Sequence, residues 1–162
     1  KEYIEKLKVD GIVLTGGNNV DPKLYGGKVL ESVYMERDAK EQQLLEIAIE
    51  KKIPLFGICR GFHFLNIYFG GSLFHNVKNH VGKNHKLISD NKLLSGLVTN
   101  SYHNQAIFQQ NLAEELMAIA KTDDGVIEAL THKSNKIMGI QWHPERQSKE
   151  QDKELILNFF NK

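Results

Sequence analysis

The sequence predicts an α/β fold in which helices flank a mainly parallel central sheet. Helix and strand patterns alternate over the first half of the chain, whereas strand patterns cluster in the second half, before a final helix. Such alternation is typical of parallel strands connected by helices. The 162 residues are enough for one hydrophobic core and contain no visible linker. We therefore expect a single domain over residues 1–162.

In the first half, short β-branched apolar runs predict buried strands, and apolar side chains at helical spacing predict helices. Asp38 is a candidate N-cap for the second helical pattern. The predicted segments are a helix end at 1–8, a strand at 11–15, a long polar loop at 18–35, a helix at 38–52, a strand at 53–58 and a helix at 60–69.

The second half begins with a segment rich in His, Asn and Lys, followed by apolar runs that turn signals separate. The last segment has inward-facing apolar residues at helical spacing. The predicted segments are a loop at 74–96 with one short strand at 85–88, strands at 116–121, 126–130 and 137–142, and a helix at 150–160.

Composition excludes several classes of protein. A net charge of +1 lacks the basic excess expected of a nucleic-acid or membrane-surface protein, and no apolar run is long enough to cross a membrane. Cys59 is the only cysteine, so neither an intramolecular disulfide nor a thiolate zinc cluster can form. We expect a cytoplasmic enzyme or binding domain.

Cys59 lies in the sharpest local motif, Gly57-Ile58-Cys59-Arg60-Gly61, between a predicted strand and a predicted helix. A nucleophile between glycines at such a junction forms a tight elbow that projects above the sheet edge. The helix N-terminus predicts a thiol pKa below the ordinary value of about 8.5. The alternative is a small buried apolar residue, but the motif favours the nucleophile.

A cysteine nucleophile needs a base, and His143 follows the last predicted strand. Residues two apart in a strand share a face, so we expect Glu145 to point the same way and to orient the imidazole. The alternative is a surface histidine beside an unrelated glutamate. Pro144 ends the strand at the edge where the elbow also lies, which favours the pair.

Six motifs occur together in an order that resembles a known family. They are Thr15-Gly16-Gly17, Arg37-Asp38, the elbow at 57–61, Ser101-Tyr102-His103-Asn104-Gln105, the segment 124–129 and the segment 139–145. With these motifs, residues 9–146 resemble the class I glutamine amidotransferase fold, which is flavodoxin-like with three layers. Within that fold they resemble the γ-glutamyl hydrolase group, peptidase family C26, which includes γ-glutamyl-γ-aminobutyrate hydrolases.

The resemblance implies a Cys59–His143–Glu145 triad, with an oxyanion hole from the backbone amides of Gly17 and Arg60. It implies hydrolysis of γ-glutamyl amide bonds through a thioester, without a metal or an organic cofactor. The small-molecule γ-glutamyl substrate is the expected partner, and a homodimer is possible. Two alternatives stay open: a glutaminase subunit that supplies ammonia to a separate synthase, and an inactive binding domain on the same fold.

Several other residues are candidates for substrate binding. Gly16 follows a strand at the edge where α/β folds bind ligands, although an ordinary turn would also place a glycine there. Arg37 can bind a substrate carboxylate, or Arg37-Asp38 can cap the following helix. The resemblance suggests that Ser101-Tyr102-His103 lines the glutamyl pocket.

The chain departs from the family pattern in two places. Phe62-His63 stands where relatives carry Met-Gln or a similar pair, whose Gln helps to hold the glutamyl group. His63 is therefore a candidate binding residue that holds the glutamyl group, binds another leaving group or marks a shifted specificity. The alternative is a helix residue that faces a solvated groove. Relatives also carry a further strand and helix before the segment that begins here, so we expect the sheet to lack one strand.

Two other patterns do not predict sites. His75, His80 and His85 recur every five residues, which places them on no common face, and no carboxylate cluster is near them in sequence. They are interpreted as loop histidines rather than metal ligands. Gly26-Gly27-Lys28 lacks the spacing of a phosphate-binding loop.

Overall fold

The computed structural model describes residues 2–27, 33–147 and 149–161. The predicted loop at 18–35 and Lys28 of the rejected phosphate-loop motif therefore fall partly outside the described residues. The helices are α1 Glu2–Leu7, α2 Met35–Lys51, α3 Arg60–Tyr68, α4 Pro144–Gln147 and α5 Glu150–Phe160, with 3-10 turns at Pro22–Tyr25 and Gln109–Asn111.

The strands divide into one central sheet and two separate antiparallel pairs. They are β1 Ile12–Leu14, β2 Leu55–Ile58, β3 Phe74–His75, β4 Val81–Lys86, β5 Val98–Tyr102, β6 Gln105–Ala106, β7 Leu116–Lys121, β8 Ile127–His132 and β9 Ile137–Ile140. The five-stranded sheet has the order β1-β2-β9-β8-β7, while β3 pairs with β6 and β4 with β5.

The register of the central sheet positions the candidate site. β1, β2 and β9 are parallel, and Ile58 at the end of β2 pairs with Ile140 at the end of β9. β8 and β7 continue the sheet in antiparallel pairing. Cys59 and Gln141 therefore leave the same edge of the sheet, where parallel α/β folds bind ligands.

Two hydrophobic clusters cover the faces of this sheet and confirm the three-layer prediction. One cluster contains Phe62 and Leu65 of α3 and Leu45 of α2, together with strand residues. The other cluster contains Leu155 of α5 with Phe56 and Ile140. None of the helices in the described part of the chain combines the length and apolar character needed to cross a membrane.

Two local predictions are wrong. α2 begins at Met35, so Asp38 lies in its first turn and is not its N-cap. Its carboxylate instead accepts the backbone N–H of Asp21 at 3.1 Å. The segment at 74–96 contains β3 and β4 rather than one strand at 85–88. Pairing of β4 with β5 decides this extended structure, which the polar sequence of β4 does not indicate.

Candidate active site

Cys59 occupies a strained elbow between β2 and α3. Its φ of 49° and ψ of −97° lie in a region that non-glycine residues rarely adopt. Its backbone N–H donates to Ile140 O at 2.8 Å, which ties the elbow to β9. A Cβ at Gly61 would overlap the backbone of Leu14, so only glycine permits this approach. The predicted elbow is therefore present in the fold.

His143 and Glu145 form a close pair, but not through strand geometry. Nδ1 of His143 lies 2.6 Å from Oε1 of Glu145. β9 ends at Ile140, and Glu145 belongs to α4, so the expected alternation along one strand is wrong. A short helix that starts at Pro144 brings the carboxylate back to the imidazole. The contact leaves Nε2 of His143 free to exchange a proton when Nδ1–H donates to Glu145.

Asn100 holds the backbone of His143 on both sides. Its Nδ2 donates to His143 O at 2.7 Å, and its Oδ1 accepts the His143 N–H at 2.9 Å. This buried amide at the middle of β5 therefore fixes the position of the His143 backbone. No local sequence pattern indicates this contact of Asn100, since its partner His143 lies 43 residues away.

Gly16 lies between the cysteine and the histidine. A Cβ built on Gly16 would lie 3.0 Å from Cε1 of His143 and 3.7 Å from Cβ of Cys59. Any larger residue would therefore crowd the His143 imidazole. The ring of Tyr102 packs edge-on against His143, with ring centroids 6.1 Å apart.

Burial raises the pKa of the Cys59 thiol to about 11, although the backbone N–H of Arg60 acts in the opposite direction. The predicted low pKa at the helix N-terminus is therefore wrong. The side chain is only 8% exposed, and loss of water outweighs the favourable N–H. In the resting protein Cys59 is a thiol, so attack requires a base that removes its proton during the reaction.

Alkylation of Cys59 by iodoacetamide is accordingly expected to be slower at neutral pH than that of a free thiol. The rate should rise as the pH approaches about 11, because only the thiolate reacts. Mass spectrometry of the modified protein between pH 7 and 11 measures it, with glutathione as the reference thiol. A rate at pH 7 above that of glutathione would contradict the raised pKa.

Beside the elbow, the side chain of Arg60 is buried and paired with two carboxylates of α2. One guanidinium nitrogen contacts Asp38 and another contacts Glu41. Arg37 also reaches Glu41, with Nε 2.8 Å from Oε1, and donates from Nη2 to Thr15 O at 2.7 Å. This network links α2 to the turn that carries Cys59.

A small pocket of about 110 Å³ opens onto the thiol. Its volume is far below the roughly 300 Å³ at which drug-sized ligands are accommodated, and suits an acyl group of amino-acid size. Its lining is polar and rich in amides: Gly17, Asn18, Asn19, Cys59, Arg60, His63, Tyr102, His103, Asn104 and Gln105.

The pocket brings together three of the six candidate substrate-binding residues, His63, Tyr102 and His103. Gly16, Ser101 and Arg37 are not in its lining. Ser101 is buried and donates its hydroxyl to His80 O at 2.6 Å, away from the lining. Arg37 lines a neighbouring cavity instead and packs over Gly17. Gly17 has a φ of 149° and a Cβ there would overlap Arg37, so glycine is required.

Sequence analysis missed several polar residues around the thiol. Asn18 and Asn19 lie in the pocket lining, and Nε2 of Gln141 lies 3.7 Å from Sγ of Cys59. Gln141 directly follows β9, and the two asparagines lie in the segment after β1. These positions are a usable signal, since polar residues beyond the carboxyl ends of parallel strands face the ligand-binding edge.

His80 lies in a loop as expected, between β3 and β4, but the expectation that no carboxylates are near it is wrong. His80 is fully buried, with Nε2 3.0 Å from Oδ2 of Asp124 and Nδ1 3.7 Å from Oε1 of Glu128. His85 stacks on it, with ring centroids 4.2 Å apart. The carboxylates come from the distant β7–β8 connection and β8, so spacing along the chain does not reveal them.

The sheet and its elbow place the chain among the glutamine amidotransferase-like α/β proteins. A crystal structure of a GMP synthase protein from Thermoplasma acidophilum matches with a TM-score of 0.72. The match covers 96% of this chain and 74% of that one at 21% identity, and so concerns the fold alone. The chain belongs to the peptidase C26 family, whose model matches residues 1–145.

Two of its relatives carry names that state an activity. The γ-glutamyl-CDP-amidate hydrolase of Campylobacter jejuni is 37% identical over 156 residues, which cover 96% of this chain and 72% of the relative. The γ-glutamyl-γ-aminobutyrate hydrolase of Escherichia coli O157:H7 is 32% identical over 171 residues, with coverages of 88% and 66%. The chain thus spans 72% and 66% of the length of these two relatives, and 62% of a Schizosaccharomyces pombe relative named as a glutamine amidotransferase.

Proposed function

We propose that this chain is a cysteine-dependent hydrolase of γ-glutamyl amide bonds. The observation that carries the proposal is Cys59 on a strained elbow, across Gly16 from a His143–Glu145 pair. Membership of the peptidase C26 family and the names of two relatives support a glutamine amidotransferase-like hydrolase.

In the first half-reaction, His143 takes the thiol proton as Sγ of Cys59 attacks the γ-carbonyl carbon of the substrate. The high thiol pKa makes this transfer necessary. The tetrahedral oxyanion forms next to the backbone N–H groups of Arg60 and Gly17, both in the pocket lining. The C–N bond then breaks, and His143 returns the proton to the leaving amine.

In the second half-reaction, water attacks the γ-glutamyl thioester. His143 accepts a proton from this water. The C–S bond then breaks to release glutamate, and His143 returns the proton to the departing sulfur, which regenerates the Cys59 thiol. Glu145 stabilises the imidazolium that forms in each half-reaction, because its carboxylate is 2.6 Å from Nδ1.

A substrate panel tests the proposal directly. The full-length protein is incubated with γ-glutamyl amines, γ-glutamyl dipeptides and glutamine, and glutamate release is measured by mass spectrometry. We expect kcat/KM on at least one γ-glutamyl amine to exceed that on glutamine by tenfold or more. Release from glutamine alone would favour the ammonia-supplying glutaminase, and no release from any compound would favour the binding domain.

His63 is expected to contribute to substrate preference. It is buried in the pocket lining, and burial lowers its pKa to about 3, so the imidazole is neutral at working pH. Its Nε2 has no hydrogen-bond partner among the described residues and is available to a substrate. In the His63→Gln variant, the ratio of kcat/KM between two γ-glutamyl amines should change about tenfold. This factor corresponds to the free energy that one buried hydrogen bond contributes.

The matched control for this variant is His132→Gln. His132 is also buried, but it accepts backbone N–H groups of Ser134 and Asn135 outside the pocket. It should leave the ratio unchanged. Equal losses on every substrate in His63→Gln would count against a role in specificity.

A further inference from the structure

Three buried side chains converge on one point beside the pocket. One ring nitrogen of His80, one ring nitrogen of His103 and a carboxylate oxygen of Glu128 all lie within 4.8 Å of one another. Oε1 of Glu128 is 3.7 Å from Nδ1 of His80 and 3.4 Å from Nε2 of His103. None of the three residues is more than 5% exposed.

The hydrogen bonds on the far sides of the two rings determine where their protons lie. Nδ1 of His103 is 2.7 Å from the carbonyl oxygen of Gln105, which only accepts, so this nitrogen carries the hydrogen. Nε2 of His80 is 3.0 Å from the Asp124 carboxylate and carries the hydrogen for the same reason. In the neutral rings, the remaining nitrogens therefore present lone pairs towards Glu128.

No described residue supplies a donor at this point. Both carboxylate oxygens of Glu128 and Nε2 of His103 are buried without a hydrogen-bond partner. Ser101 comes within 3.5 Å of Nδ1 of His80, but its hydroxyl hydrogen is directed to His80 O at 2.6 Å. Three acceptors that face one another without a donor are unfavourable, and a cation between them removes the penalty.

We propose that His80, His103 and Glu128 form a binding site for a zinc-class divalent cation. Zinc lies about 2.0 to 2.2 Å from nitrogen and carboxylate ligands, so the edges of its tetrahedron are roughly 3.3 to 3.6 Å. The 3.4 and 3.7 Å separations already approach that value. Two imidazoles and one carboxylate suit zinc and its neighbours rather than magnesium or calcium.

The surrounding contacts are those of a metal site. A carboxylate or carbonyl behind each ligating imidazole fixes its tautomer and orientation, and Asp124 and the Gln105 carbonyl occupy these positions. The fourth ligand is water. His103 also lines the pocket beside Cys59, and this pocket provides a path by which the cation can enter. Cation binding would therefore fix the position of the His103 ring in the pocket.

The rival explanation is a proton in place of the metal. An imidazolium at His80 or His103 would donate to Glu128, but it would leave the other nitrogen unpaired. The metal satisfies all three acceptors at once. This inference does not rest on the proposed hydrolase activity, because zinc binding is measured without substrate.

Metal-free protein is titrated with ZnCl₂ by calorimetry, and bound zinc is counted by elemental analysis after dialysis. We expect one zinc per chain in the wild type and in Cys59→Ser, which removes the only thiol. Glu128→Gln should weaken binding at least 100-fold. Asp124→Asn should weaken it 10- to 100-fold through His80. The Asp124 side chain is half-exposed, and the asparagine oxygen can still accept the Thr122 hydroxyl.

The matched control is His75→Asn, which removes a histidine outside the cluster and should bind zinc as the wild type does. Zinc should also raise Tm in the wild type but not in Glu128→Gln. Three results would overturn the proposal: no binding by the wild type at micromolar zinc, loss of binding in Cys59→Ser with retention in Glu128→Gln, or wild-type affinity in both Glu128→Gln and Asp124→Asn. The first of these would assign the cluster to a shared proton.

Discussion

The Cys59→Ala variant is expected to lose turnover of γ-glutamyl amides by at least about 10³-fold while keeping its fold. Removal of the nucleophile from a comparable triad costs roughly 10⁶ in kcat. Alanine fills most of the small volume occupied by Cys59 and removes a thiol whose burial is unfavourable to its ionised form. Steady-state hydrolysis and thermal unfolding of the same preparation measure the two effects.

A covalent intermediate provides the control for this result. Rapid quenching with a good substrate should give wild-type protein a mass gain of one γ-glutamyl group, located at Cys59 by peptide mapping. The alanine variant should show none. Adding His143→Asn to Cys59→Ala should cause little further loss, because residues that act as a unit are not additive. An alanine variant with more than a tenth of wild-type turnover would refute the nucleophile assignment.

The Arg60→Met variant is expected to lose about 3 to 5 kcal/mol of unfolding free energy. Methionine keeps much of the apolar volume but leaves Asp38 and Glu41 buried without their shared cation. Breaking a buried ion pair from one side typically has this cost, because a charge stays desolvated and unpaired. Burial already raises the pKa of Asp38, which shows that its carboxylate is poorly solvated.

Arg37→Met is the matched control, since it makes the same chemical change next to the same Glu41. The Arg37 side chain is 31% exposed, so its pair is partly screened and should be worth less than about 1 kcal/mol. Urea denaturation of both variants provides the comparison. Adding Asp38→Asn and Glu41→Gln to Arg60→Met should recover part of the loss. Similar stability of Arg60→Met and Arg37→Met would contradict a structural role for the buried network.

The order and type of the central elements follow from local sequence. A β-branched run stopped by glycines predicted β1, and an apolar run predicted β2. The apolar spacing of the last segment predicted α5 with its observed bounds. The Gly-x-Cys-x-Gly motif predicted the elbow, because a sharp turn from a strand into a helix leaves no room for side chains on either side of the nucleophile.

Properties that depend on burial and on distant partners followed only from the tertiary structure. The helix N-terminus predicted an acidic thiol, but packing around Cys59 removes water and raises its pKa instead. Likewise, Glu145 reaches His143 through the turn of α4 and not along a strand. Local sequence contains the reacting groups, but the dielectric environment that sets their protonation comes from residues far along the chain.

By itself, the sequence determined the α/β class, the lone nucleophile candidate and the family to which the chain belongs. These depend on periodicity and on short motifs, which neighbouring residues encode. Only the tertiary structure decided that Arg60 is anchored by α2, that Asn100 holds His143, and that Glu128 meets two histidines. Each of these contacts joins residues between 19 and 48 positions apart, whose meeting depends on strand pairing and helix packing rather than on local pattern.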